Sequence, residues 1–181
     1  LKPVDSSAFG ESWTDQPDAF VLRSTVEKYS HLRAMMISPE AGAELRPAPL
    51  ETPWQAGTVA PSDAESIAKL SATDAPPGDE DLIFIAWRAV SCEAVFLARR
   101  AGTQPLRADG RADSGWFVGP LEKSEQPGGY ACTTVASFAL TVPNIRSILG
   151  LRPGSLAVLA SGTVRSILDE GDRELWHSEA T

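Results

Sequence analysis

The sequence predicts an α+β fold: a mostly antiparallel sheet with helical cover in the C-terminal part, and a helix plus Pro-rich extended segments in the N-terminal part. Short apolar runs of strand length recur after residue 81, and turn residues separate them. One apolar stripe with helical spacing precedes them. No apolar run approaches the roughly 18 residues of a membrane span, so we expect no membrane partner.

Two helices are predicted in the N-terminal part. Residues 18–36 carry one apolar stripe on a 3.6-residue period, formed by Leu22, Val26, Tyr29, Leu32 and Met36. Residues 62–65 have the form of a capping box, Ser-Asp-Ala-Glu, which predicts a second helix near 62–72. Five prolines between residues 39 and 61 exclude a long regular element there.

The acidic, turn-rich segment Ala75–Asp81 is the predicted domain boundary, dividing the chain into residues 1–81 and 82–181. The first part holds 6 basic and 14 acidic residues and therefore the whole net charge of −8, whereas the second holds 10 of each. Such a chain is a poor partner for nucleic acid, because Lys and Arg carry most phosphate binding. Its first part is suited to steering a basic protein partner.

The second part alternates apolar runs with turns. A turn at residues 113–115 leads into a short strand, Thr133–Phe138 starts a helix, and Ile145–Leu149 fits one helical turn ended by Gly150. Five strands are predicted from apolar runs, at Leu82–Trp87, Ala94–Ala98, Leu156–Ala160, Val164–Leu168 and Leu175–Trp176.

Residue types that carry out catalysis are scarce. His31 and His177 are the two histidines, and Cys92 and Cys132 lie 40 residues apart without a paired histidine. This pattern predicts no catalytic residue, no metal site and no cofactor. The two cysteines form one disulfide if the protein is exported, or stay buried thiols in the cytosol, which the composition favours.

One ordered set of short motifs in the second part is more specific. It begins with Val90-Ser91-Cys92 and Phe96–Arg100, continues with Asp113-Ser114-Gly115-Trp116, Phe117 and Gly119, and ends with Pro143-Asn144-Ile145, Leu149, Pro153-Gly154-Ser155 and Trp176. Over roughly residues 82–176 the chain thereby resembles the immunity-33 family of bacterial polymorphic-toxin systems, first catalogued as a domain of unknown function. The resemblance implies a non-enzymatic protein that binds and occludes a toxin. The acidic first part indicates that this toxin is basic.

The chain departs from the family pattern at two places. Arg100 stands where the family usually has an acidic residue, and residues 119–122 replace an acidic run after the signature strand, with Glu122 as its one remaining acid. The predicted partner-binding residues are Arg111, Asp113, Ser114, Trp116 and Glu122. Trp116 has two alternative roles, a core anchor or a contact residue on a binding rim.

Two other functions stay open at this point. One is a small-ligand-binding or enzymatic domain that uses Asp113, Glu122 and Arg99 in a shared pocket. The other is a scaffold in which residues 1–81 form an ordered accessory layer. We expect a cytoplasmic protein, or a periplasmic one if a signal peptide was removed; the oligomeric state is not predicted.

Overall fold

The computed structural model describes residues 59–70, 76–100, 111–122, 129–161 and 163–178, together with the backbone of residues 45–47. Within these ranges the chain forms eight strands. They are β1 (Leu45–Pro47), β2 (Leu82–Ala86), β3 (Ala94–Arg99), β4 (Asp113–Pro120), β5 (Tyr130–Thr134), β6 (Leu156–Ala160), β7 (Thr163–Leu168) and β8 (Glu174–His177). The helices are α1 (Pro61–Ala68), α2 (Val135–Thr141) and α3 (Arg146–Leu149), with a 3₁₀ helix at Trp87–Ser91.

All eight strands belong to one sheet, in the order β1-β5-β2-β4-β3-β6-β7-β8. The β1–β5 and β2–β4 pairs are parallel and the other five are antiparallel. The predicted α+β fold with a mostly antiparallel sheet is therefore confirmed. No helix in the described ranges is long and apolar enough to cross a membrane.

Two local predictions were wrong. Helix α1 begins at Pro61, with Ala60 as its N-cap and no side-chain capping bond, because proline fits the first helical position, where its missing N–H is not needed. The predicted capping box at Ser62 therefore does not form.

Strand β5 was not predicted, and its last residue, Thr134, caps α2 by accepting a hydrogen bond of 3.1 Å from the Ser137 amide. The predicted helix at 18–36 lies outside the described residues.

Residues on the N-terminal side of the predicted boundary pack onto the sheet. Val59 and Ile67 are buried in the same core as the strands. The Asn144 side-chain amide donates to the Val59 carbonyl at 2.8 Å, and the carbonyls of Asp79 and Asp81 accept from the first amides of α2. The segment from residue 59 onward thus contributes to the core of the second part, and the division at residue 81 stays a prediction.

The sheet is buried on both faces. Trp116 lies on the face that carries α3, since its indole contacts the end of that helix. The opposite face, called here the aromatic face, carries Phe84, Phe96, Phe117 and Tyr130: Phe84 is the register partner of Phe117, and the Phe117 ring centroid is 5.9 Å from that of Phe96 and 6.2 Å from that of Tyr130. The three phenylalanines are at most 3% exposed. Continuous apolar runs such as Leu82–Ala86 are typical of strands buried on both faces.

Gly119 makes the packing of the aromatic face possible. It is the register partner of Phe96, and a Cβ atom at residue 119 would lie 2.4 Å from two carbons of the Phe96 ring and 3.0 Å from the Phe117 ring. The Phe96 ring therefore occupies the space that any larger residue at 119 would need.

Candidate functional site

The Asp-Ser-Gly-Trp segment begins β4 with an irregularity in its pairing to β2. Leu82 pairs with Asp113 but Phe84 pairs with Phe117, so two steps along β2 correspond to four along β4. The Ser114 hydroxyl spans this bulge: it donates to the Leu82 carbonyl at 2.7 Å and accepts from the Trp116 amide at 3.1 Å. The serine thereby replaces ladder bonds that the bulge interrupts.

Asp113 and Gly115 set the backbone of the same bulge. An Asp113 carboxylate oxygen accepts from the Gly115 amide at 2.8 Å, and Gly115 has a φ of 79°, a left-handed conformation that favours glycine. The other carboxylate oxygen forms an ion pair with the Arg100 guanidinium. The two side chains are only 13% and 9% exposed, so this pair lies mostly out of water and contributes to fixing the bulge.

Trp116 is completely buried, with 0% exposure. Its indole N–H donates to the Leu149 carbonyl at 3.0 Å, at the last residue of α3. Of the two roles that the sequence leaves open, the structure therefore places Trp116 in the core. The rim role does not occur, because the neighbouring residues of β4 are buried as well.

Arg99 connects the end of β3 to the turn that follows α3. Its backbone amide donates to the Ser155 carbonyl, and its carbonyl accepts from the Gly154 amide, each at 2.8 Å. Its guanidinium donates to the Leu151 carbonyl. Burial lowers the pKa of Arg99 from its ordinary value, yet an arginine stays charged in a protein, so the carbonyl contact partly offsets the desolvation of a buried cation.

These contacts bring distant parts of the chain into one group, called here the motif cluster: Arg99, Arg100, residues 113–116 and residues 149–155. Its members come from the end of β3, the start of β4 and the turn after α3. Four of the nine motifs on which the family resemblance depends contribute to it: Phe96–Arg100, residues 113–116, Leu149 and residues 153–155. The motifs are recognisable in the sequence, but the pairing of Arg100 with Asp113 was not predicted. The signal that could have indicated it is the arginine at residue 100, where the family usually has an acidic residue.

The predicted partner-binding residues do not form one surface. Arg111 is exposed beside the motif cluster, the Asp113 side chain is only 9% exposed, and Ser114 and Trp116 are buried. Glu122 is exposed two residues past the other end of β4. At about 3.3 Å per residue, the seven steps of β4 from Asp113 to Pro120 cover roughly 23 Å, and Glu122 lies beyond that far end.

The same separation removes the pocket proposed for a ligand-binding or enzymatic function. Asp113 is occupied by Arg100 and the Gly115 amide, Arg99 is buried against the Leu151 carbonyl, and Glu122 lies at the opposite end of the strand. The structure therefore does not bring Asp113, Glu122 and Arg99 into a shared pocket.

Cys92 and Cys132 are not joined by a disulfide in the described part of the chain. Cys132 lies in β5 and Cys92 just before β3, three strand positions away. Burial, and secondly the charge of Glu122, raise the pKa of the Cys92 thiol, which makes it a poor nucleophile.

Within the described residues, no group of three or more His, Cys, Asp and Glu side chains is arranged to hold a metal ion. Comparison of the chain with family models, with curated proteins and with solved structures gives no match in any of the three.

Proposed function

We propose that this chain is a non-enzymatic, immunity-like protein that binds a protein toxin and occludes it. The observation that supports this most is the motif cluster. The motifs of the immunity-33 resemblance are separated by up to tens of residues in sequence, yet Arg99, Trp116 and residues 149–155 are joined by hydrogen bonds. Motifs that meet in space favour a shared fold over a chance match of short peptides.

The chemistry of the cluster also favours binding over catalysis. Its polar side chains at Asp113, Ser114 and Arg99 contact backbone groups or one another. Groups used in this way hold backbone geometry, which is how a scaffold supports a contact surface. Arg111 is exposed where the cluster meets solvent, and arginine is enriched at interface hot spots. We therefore place the partner contact around Arg111 rather than at Trp116.

The acidic first part is proposed to steer a basic toxin. Glu65 on α1 is exposed, as are Asp79 and Glu80. Asp79 also pairs with Arg146 of α3 at 2.8 Å, with both side chains more than half exposed, and α1 packs against α3. Acidic groups on one side of the protein raise the association rate with a cationic partner more than they raise affinity.

The compartment is proposed to be the cytoplasm. Cys92 and Cys132 are not bonded to each other in the described part of the chain, which agrees with a reducing environment. Neither nucleic acid nor a membrane is proposed as a partner.

The test is protection of bacterial cells against the product of the adjacent gene. The chain and that product are co-expressed, and growth is compared for the unsubstituted chain, Arg111→Glu and Arg165→Glu. Arg165 is exposed on β7, away from the motif cluster, so it is the matched charge-reversal control. We expect protection by the unsubstituted chain and by Arg165→Glu, and reduced protection by Arg111→Glu.

Growth arrest despite soluble expression of the unsubstituted chain would contradict the proposed function. Equal protection by the two arginine variants would contradict only the placement of the contact around Arg111.

A further inference from the structure

Two arginines lie on the surface at the end of the sheet that holds the motif cluster. Arg111 comes just before β4, and Arg152 lies in the turn between α3 and β6. Both residues are exposed, and Arg152 forms no ion pair with a described residue. This end of the protein therefore presents a second cationic point beside the proposed contact at Arg111.

Backbone hydrogen bonds hold the two turns that carry these arginines against one strand. The Arg99 amide and carbonyl bond residues 155 and 154, each at 2.8 Å, and the Arg100 amide donates to the Gly115 carbonyl at 2.9 Å. Because β4 and β6 both pair with β3, two strand spacings of about 4.8 Å place the turns about 10 Å apart. Such fixed positions reduce the conformational entropy that is lost when a partner binds.

The carboxylates at this end of the sheet differ in how they are used. Both oxygens of Asp113 are engaged within the bulge, one by Arg100 and one by the Gly115 amide. Glu170 lies at the turn that carries Arg152, since a Cβ atom added at residue 154 would be 3.3 Å from a Glu170 carboxylate oxygen. Glu170 forms no ion pair within the described ranges. Its charge is therefore available to attract or repel a partner.

We propose that the contact surface extends from Arg111 across the end of β3 to Arg152, and that it binds a carboxylate-bearing segment of the toxin. This inference rests on the proposed function and specifies the chemistry of the partner at that site. A guanidinium group binds a carboxylate through two parallel hydrogen bonds, and two arginines at fixed positions select two carboxylates at a matching distance. A toxin that is basic overall is steered by the acidic first part, while an acidic patch at the contact fixes its orientation.

Two side chains on this surface provide substitutions with opposite expected effects. Arg152→Gln removes a positive charge, and Glu170→Gln removes a negative charge with little change of shape. Binding of the purified product of the adjacent gene to each full-length variant is measured by isothermal titration calorimetry. We expect Arg152→Gln to raise the Kd about 10-fold. We expect Glu170→Gln to lower the Kd about two- to threefold, because a carboxylate beside the contact repels an acidic segment.

Arg165→Gln is the control, since Arg165 is exposed on β7 away from the motif cluster and its loss should leave the Kd unchanged. Thermal melts verify that every variant is folded. A folded Arg152→Gln variant that binds as tightly as the unsubstituted chain would overturn the inference. Weaker binding by Glu170→Gln would also overturn it, because the partner segment at this surface would then be basic. Absence of binding by the unsubstituted chain would instead contradict the proposed function itself.

Discussion

Gly119→Ala tests the packing of the aromatic face most sharply. The added Cβ atom would lie 2.4 Å from the Phe96 ring and 3.0 Å from the Phe117 ring. Contacts below about 3.4 Å are repulsive between carbon atoms, and Phe96 has 0% exposure, so its ring has no open space into which to move. We expect the substitution to destabilise the protein.

The magnitude follows from two opposing effects. Replacing glycine by alanine restricts the unfolded chain and alone would stabilise the protein by about 0.4–1 kcal/mol. Overpacking a buried site costs about 1–3 kcal/mol, and the close approach to a rigid ring places this site at the upper end. The expected net loss is about 2 kcal/mol in the free energy of unfolding, which for a chain of 181 residues lowers the melting temperature by about 4–8 °C.

Urea unfolding followed by tryptophan fluorescence provides the assay, and Gly78→Ala is the control. A Cβ atom at Gly78 would approach no atom closer than 3.5 Å, so its midpoint should match or exceed that of the unsubstituted chain. In a Phe96→Leu background the Gly119→Ala substitution should cost less than half as much, since the ring is gone. Equal midpoints for Gly119→Ala and Gly78→Ala would refute the packing described for this face.

Three further substitutions test other parts of the structure by urea unfolding. Ser114→Ala removes the hydroxyl that bridges β2 and β4. We expect the free energy of unfolding to fall by about 2–4 kcal/mol. A loss below about 0.5 kcal/mol would show that water replaces the hydroxyl. Trp116→Phe removes the indole N–H hydrogen bond to the end of α3 and leaves a void. We expect the free energy of unfolding to fall by about 2–3 kcal/mol. An unchanged urea midpoint would contradict the buried position of Trp116. Burial acts to raise the pKa of Asp169, but hydrogen bonds from the Arg173 and Gly171 amides and the Arg173 charge outweigh burial and hold this pKa below its ordinary value. A depressed pKa contributes stability that is present above the unfolded-state pKa, about 3.9, and is lost as pH falls through the folded-state pKa. The stability difference between the unsubstituted chain and Asp169→Asn should therefore be larger at pH 7 than at pH 2, and a difference independent of pH would contradict this assignment.

The strands that sequence predicts well are those with continuous apolar runs. Strands β2, β3, β6, β7 and β8 begin and end within one residue of the predicted positions. In β2, β3 and β6 this is because burial on both faces demands an apolar residue at nearly every position. Strand β5 was missed because its sequence, Tyr-Ala-Cys-Thr-Thr, is half polar and owes its conformation to pairing with β2. Such long-range pairing has no local signal.

The candidate site was predicted in part. The turn chemistry of Asp113, Ser114 and Gly115 was visible in the sequence, and it appears in the structure as a bulge that opens β4. The full length of β4 was not predicted, because residues 113–115 have turn chemistry whereas the structure includes them in the strand. Because β4 extends from Asp113 to Pro120, it separates Asp113 from Glu122. The predicted grouping of these two residues in one site was therefore wrong. Burial of Trp116 depends on where α3 ends, which no local pattern fixes.

The most direct test of the proposed function is a titration of the purified toxin, the product of the adjacent gene, with the purified chain. Occlusion predicts that toxin activity falls linearly with added protein and reaches its minimum at a fixed stoichiometric ratio. It also predicts that the two proteins then elute together from a sizing column. Loss of toxin activity at a small fraction of that ratio, with no complex formed, would indicate enzymatic inactivation and would contradict the account.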